Sequence, residues 1–273
     1  MTRSPAYSPA GVVADLVAHW RRVIRPRGLR RRRDGLAAGL AAFALSTATL
    51  IGVAAFVDAP VAYLAQDMPR RVVGFFQVVT RFGDSNWMFA FCVIVTLGAL
   101  GLRGRGLGLR ADAGLGALAS RGFYFFTVLL VSGLISQALK HGLGRARPAL
   151  IETFGPFHFD LFSLRASLAS FPSGHTISAF ALATALGFFL PRWEILWFAF
   201  AFAVGASRVI IGAHYPTDVL GGLLIGMLTA IGVARVFAAR KIAFKPDAAL
   251  LERRGEGLVR LALRRMRRGR AAA

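Results

Sequence analysis

Six apolar blocks dominate this chain, at residues 35–57, 86–102, 122–140, 174–190, 193–213 and 217–238. An α-helix rises 1.5 Å per residue, so roughly 20 apolar residues cross about 30 Å of hydrocarbon. No block has the polar and apolar alternation of a barrel strand, which leaves helices as the spanning element. With 56% hydrophobic and only 17% charged residues, the chain is neither disordered nor an ordinary soluble domain. The expected fold class is therefore all-α, a six-transmembrane-helix bundle. The first block, Gly35 to Val57, carries no charge and is longer than the ~7–15 apolar residues of a cleaved signal, so it is expected to remain as a span. Blocks 86–102 and 174–190 are short, and are expected to recruit flanking residues or to begin inside a protein-lined cavity.

The cations orient the bundle. If the six spans alternate sides, both termini share one face, which holds 26 of the 34 Lys and Arg, including those of the 102–121 loop. Only 8 lie on the other face. The positive-inside rule then predicts cytoplasmic termini. Three regions follow: a basic cytoplasmic segment 1–34, a six-span domain 35–239 and a basic cytoplasmic tail 240–273. Both basic segments suit an anionic membrane surface or act only as topology-setting tails. No nucleic acid partner is expected, because no reading module accompanies the charge. Residues 61–83 are apolar but broken by Asp67, Pro69, Arg70 and Arg71, which predicts an interfacial helix on the outer face. Cys92 stands alone in an apolar run, so no internal disulfide supports the fold.

Ionisable residues at the edges of apolar blocks are costly, and here they cluster on the outer face. Lys140, Arg145, Arg147, Arg165 and the run Pro172-Ser173-Gly174-His175 lie between the third block and the fourth. Ser207-Arg208 and His214-Tyr215-Pro216-Thr217-Asp218 lie between the fifth and sixth. Ser173 is a good helix N-cap, Gly174 lets backbone approach a ligand, and a helix N-terminus offers N–H groups to an anion. Read alone, that run is simply a capped helix start. Asp218 suits the first turn of a helix opened by Pro216, either as a favourable charge on the helix dipole or as acceptor for one His214 ring N–H. Lys140 and Arg208 can snorkel. Taken together, three cations, two histidines, a carboxylate and a helix N-terminus resemble a site for a phosphoryl group, which needs several fixed donors. Arg145 and Arg165 are candidates for further phosphate or headgroup contacts, whereas His141 and His158 read as polar surface or loop residues.

The order and spacing of these residues resemble the type-2 phosphatidic acid phosphatase superfamily, which also contains vanadium-dependent haloperoxidases. Lys140, six residues, then Arg147-Pro148 is the first motif; Pro172-Ser173-Gly174-His175 is the second; Ser207-Arg208, five residues, His214, three residues, Asp218 is the third. The resemblance implies that His214 is a nucleophile forming a phosphohistidine, that Asp218 orients it, and that His175 is the general acid and then the general base. It implies phosphate binding by Lys140, Arg147, Ser173, Gly174 and Arg208. It implies no cofactor and no metal, and the chain has no metal-ligand cluster of Cys and His or of carboxylates.

The expected function is that of an integral membrane lipid phosphatase in a bacterial inner membrane, acting on its periplasmic face. Undecaprenyl diphosphate, a lipid A phosphate, phosphatidylglycerophosphate and phosphatidic acid all present an outward phosphate on an amphiphile. Two alternatives use the same residues: a lipid-phosphate binding or translocating protein without turnover, and a haloperoxidase holding vanadate.

Overall fold

The computed structural model describes residues 45, 48 and 52–244. The expected first span falls largely outside the described residues, as do most of the two basic terminal segments. A π-helical turn, Ala54–Asp58, runs directly into α1 (Ala59–Gln66). Then follow α2 (Arg70–Arg81), α3 (Ser85–Leu102), α4 (Leu109–Leu143), α5 (Gly174–Phe189), α6 (Glu194–Ile210) and α7 (Pro216–Ala239). No strand occurs among the described residues; Arg145 and Phe159 form an isolated antiparallel bridge.

Four described segments are long and apolar enough to cross a bilayer: Arg70–Leu102, Leu109–Leu143, Pro191–Ile210 and Pro216–Ala239. The shorter α5 lies inside the bundle, packed against α7, α6 and α4. Its N-terminal end is enclosed by protein, with Ser173 and Thr176 fully buried, which is how a short apolar helix is accommodated at membrane depth.

Two expectations need correction. Residues 61–83 are not one interfacial helix. Pro69 lacks the N–H that would continue α1 and sits in extended backbone, so the chain breaks there into α1 and α2, and α2 packs on α6. Residues 102–121 are not a loop either. No proline interrupts them after Gly108, and α4 begins at Leu109 and continues for 35 residues. At 1.5 Å per residue that is about 50 Å, more than the hydrocarbon thickness, so its charged first turns extend past the apolar layer.

Close helix approach sets the core. A Cβ on Gly222 of α7 would stand 2.8 Å from the Ser173 carbonyl oxygen, and one on Gly226 would stand 2.5 Å from that of Ile177. Only glycine permits the two backbones to come so near, and the N-terminus of α5 is thereby pressed against the N-terminal half of α7. The opposite end is closed by aromatic packing, in which Tyr124 contacts Phe125, Phe189, Phe237 and Phe244 edge-on.

Candidate active site

Lys140 lies in the last turn of α4, where its Nζ donates to the Ala169 carbonyl at 3.0 Å. Gly144 ends that helix with φ +61°, and a Cβ there would fall 1.7 Å from the Asp160 carbonyl oxygen, so this position requires glycine. The chain then runs extended, and the long connection folds back over it. Ala146 N–H donates to the His158 carbonyl, Arg147 N–H to that of Ser167, and Ser170 N–H to that of Arg145, each at 3.0 Å. The long connection between α4 and α5 is thus zipped onto the first motif. Arg147 sits at the start of a 3-10 turn, Pro148–Leu150, with its Nε donating to the Ala166 carbonyl at 2.9 Å. Burial pulls its guanidinium below the usual range.

Ser173 occupies the N-cap position of α5 as expected, yet its hydroxyl takes no backbone N–H; it accepts from the Thr176 hydroxyl at 2.9 Å. Its own N–H donates to the Asp218 carbonyl at 3.0 Å, tying the second motif to the third. Gly174 and His175 line a cavity of about 360 Å³ with Lys140, Gln137 and Asp84. Gly83 presses on His175: a Cβ at that glycine would lie 3.0 Å from the histidine Cβ.

Arg208 is in the last turn of α6, where its Nη1 donates to Thr80 Oγ1 of α2 at 2.8 Å. The Ala213 and His214 N–H groups both donate to its carbonyl, at 3.0 and 3.1 Å, so the turn delivers His214 back to Arg208. Pro216 opens α7 and Asp218 falls in its first turn, as the sequence predicts. Asp218 is fully buried and accepts from three donors: Arg145 Nη1 at 2.7 Å, Ser170 Oγ at 2.6 Å and Tyr215 N–H at 2.8 Å. His214 Nδ1 stands 3.6 Å from Asp218 Oδ2, longer than a hydrogen bond. Burial depresses the His214 pKa to about 4; Asp218 opposes this, while Lys140 and Arg208 reinforce it. The imidazole is therefore neutral at pH 7. The fields of Arg208 and Lys140 reach His175 as well, joined there by that of Arg147, so both rings face Lys140 and Arg208.

All eight sequence-predicted positions converge at one end of the bundle. His141 lies in the last turn of α4 with its Nδ1 3.0 Å from the Ser163 carbonyl oxygen, and His158, in the connection, stacks on Phe154. Arg145, a candidate for a further phosphate contact, has its guanidinium donors turned to protein groups. Its Nη1 donates to Thr217 Oγ1 and Asp218, its Nη2 to Asp58 and the Pro156 carbonyl, and its Nε to that same carbonyl, while its guanidinium lies 4.4 Å from the Tyr215 ring centroid. Burial opposes its charge, but the two carboxylates outweigh that and raise its pKa. Asp58, Ser170 and Thr80 have no place in the sequence reading. The sole hint in the sequence is that Asp58 follows the first apolar block directly.

The family model described as the PAP2 superfamily matches residues 121–242. The chain is 38% identical over 203 residues to the lipid A 1-phosphatase of Rhizobium etli, covering 72% of this chain and 85% of that protein. It is 29% identical over 164 residues to phosphatidylglycerophosphatase B of Bacillus subtilis, covering 55% of this chain and 68% of that one. Undecaprenyl-diphosphatase BcrC of the same organism is 40% identical over 62 residues, 22% of this chain and 31% of its own length.

Proposed function

The chain belongs to the PAP2 superfamily, and on that premise we propose that it is an integral membrane phosphatase whose preferred substrate is a lipid A-type phosphomonoester. The similarity to lipid A 1-phosphatase extends over most of both chains, whereas that to the undecaprenyl-diphosphatase is confined to a short stretch. The site is assigned to the periplasmic face of a bacterial inner membrane, with cytoplasmic termini, on the charge asymmetry of the chain.

In this reading Lys140, Arg147 and Arg208, with Ser173 and the Gly174 N–H at the α5 N-terminus, hold the phosphate oxygens and offset the charge that builds on them. His214 Nε2 attacks phosphorus, the bond from phosphorus to the lipid oxygen breaks, and His175 gives that oxygen its proton. His175 then takes a proton from water, whose oxygen attacks phosphorus and breaks the P–N bond. Inorganic phosphate leaves and both histidines return to their starting states.

Asp218 is a positioning group here: it faces Nδ1, keeps the proton on that nitrogen and leaves Nε2 free. The observation that carries the reading is the buried, neutral His214 beside a carboxylate whose hydrogen-bond partners are all donors, with Lys140 and Arg208 acting on the ring. Phosphate release in detergent from a panel of lipid A, phosphatidylglycerophosphate, phosphatidic acid and undecaprenyl diphosphate tests it. The expected result is fastest turnover of lipid A and none by His214→Ala. Binding of these lipids without release favours a carrier, and full activity of His214→Ala removes the nucleophile assignment.

A further inference from the structure

Among the described residues Asp58 and Asp218 are the two fully buried carboxylates, and one guanidinium joins them. Arg145 Nη2 lies 2.7 Å from Asp58 Oδ2 and Nη1 lies 2.7 Å from Asp218 Oδ1. Thr217 completes the link: its N–H donates to Asp58 Oδ1 at 3.1 Å, its hydroxyl donates to Asp58 Oδ2, and its oxygen accepts from Arg145 Nη1 at 2.8 Å. Every hydrogen-bond partner of the two acids is a donor, which is the environment of ionised carboxylates.

Two acids against one guanidinium leave the array with a net charge of about −1. A structural pairing of Asp218 needs only Arg145. A buried arginine between two carboxylates is an excess of negative charge in a place where unpaired charge is costly, unless a positive charge arrives there. Under the mechanism proposed above one does: when neutral His214 bonds to phosphorus through Nε2 and retains the proton on Nδ1, the ring becomes cationic. The surrounding cations, Lys140 and Arg208, oppose that change, and Asp218 alone is largely neutralised by Arg145.

We propose that Asp58 is a positioning residue for catalysis, supplying through Arg145 the second negative charge that lets Asp218 stabilise the cationic phosphohistidine. The inference rests on the phosphohistidine reading of this site. It gives a role to a residue that lies 87 positions from Arg145 and 159 from Thr217 in the chain and outside the three motifs. Asp58 touches neither substrate nor His214; it acts by occupying one side of the guanidinium, so that Arg145 is shared and Asp218 keeps more of its charge for the imidazole.

Asp58→Asn is the informative variant, because the amide keeps an acceptor for the Thr217 N–H while removing the charge. The expected result is a kcat about ten- to a hundredfold lower, taking the scale from loss of the outer partners that orient metal-bound histidines, with KM unchanged. Single-turnover phosphohistidine formation slows by the same factor. The acid limb of kcat/KM moves to lower pH, since Lys140 and Arg208 then face His214 with less opposition. A merely structural role lowers the folded fraction, measured by gel filtration in detergent, and moves neither kcat per folded enzyme nor the pH limb. Wild-type kcat with an unmoved limb overturns the proposal. If Asp58→Asn does not fold, Arg145→Lys keeps the cation but gives up the fork that spans both acids, and the same kcat-only loss is expected; wild-type kcat there also overturns it. His214→Ala, measured alongside, separates the two ideas: an inactive His214→Ala with an unaffected Asp58→Asn rejects only the role of Asp58, whereas an active His214→Ala rejects the mechanism beneath it.

Discussion

His214 Nδ1 lies 3.6 Å from Asp218 Oδ2, close enough for electrostatic pairing and about half an ångström beyond a hydrogen bond. Oδ2 already accepts from Ser170 Oγ and the Tyr215 N–H, so the carboxylate is held still by the protein and the imidazole approaches it. Fixed dipoles of this kind cost no reorganisation when charge develops on the ring.

Asp218→Asn retains the shape of the side chain but replaces one acceptor oxygen by a donor. Whichever way the amide turns, that NH₂ faces either Arg145 or the donors from Ser170 and Tyr215. We expect kcat to fall about 10³- to 10⁴-fold, the scale of the equivalent change in a serine protease triad. Stability should fall by about 3 kcal/mol or more, because a buried arginine loses a partner. Steady-state kinetics and thermal unfolding in detergent check both, and near-wild-type kcat would remove Asp218 from the site.

The pH dependence follows from burial of His214. Its folded pKa is depressed to about 4, so the neutral, nucleophilic form persists as pH falls from 7 to 5. The acid limb of kcat/KM, which reports the free enzyme, is expected well below the usual histidine value of about 6.5. Stability changes in the same window with a definite sign. The unfolded chain takes up the His214 proton near 6.5 and the folded protein only near 4, so acidification between those values destabilises the fold. A nucleophile limb at or above 6.5, identified by its loss in His214→Ala, contradicts this.

Two glycines of α7 are expected to differ sharply. A Cβ at Gly226 would meet the Ile177 carbonyl oxygen at 2.5 Å and the Ala181 nitrogen at 2.9 Å, and backbone cannot yield as a flexible side chain can. Gly226→Ala should therefore destabilise the protein by about 1–3 kcal/mol and lower activity by moving the α5 N-terminus. Gly232 has nothing within 4 Å of the added carbon. Gly232→Ala should be neutral or stabilising by up to about 1 kcal/mol through helix propensity. Equal melting temperatures for the two variants would contradict the close crossing of α5 and α7.

Chelation offers a direct check on the chemistry. Phosphate release should survive EDTA, because in the proposed mechanism Lys140, Arg147 and Arg208 supply the charge that a divalent ion supplies in other phosphatases. Loss of activity restored by added Mg²⁺ would require a different mechanism.

Much of the site was legible from local pattern. Lys140, His175, Arg208 and His214 stand at the edges of apolar blocks, where a charged or titratable group is expensive and so informative. Pro216 announced the start of α7, and Asp218 fell in its first turn. Pro69 breaks the helix in spite of the apolar residues around it. Arg110, Asp112 and Arg121 lie within α4 because a helix that outruns the bilayer can carry charges in its first turns.

What the chain determined by itself was the helical class, the presence of membrane-spanning helices and the residue types gathered at one end of the bundle. Those properties follow from composition and from a periodicity that operates within a few turns. Only the folded arrangement decided which arginine remains available to a phosphate. Arg145 and Arg147 are alike in sequence context, yet the first has all its donors turned to Asp58, Thr217, Asp218 and Pro156, while the second is held by one carbonyl. Partnerships across 73 and 87 residues depend on how helices cross, and no local pattern encodes a crossing.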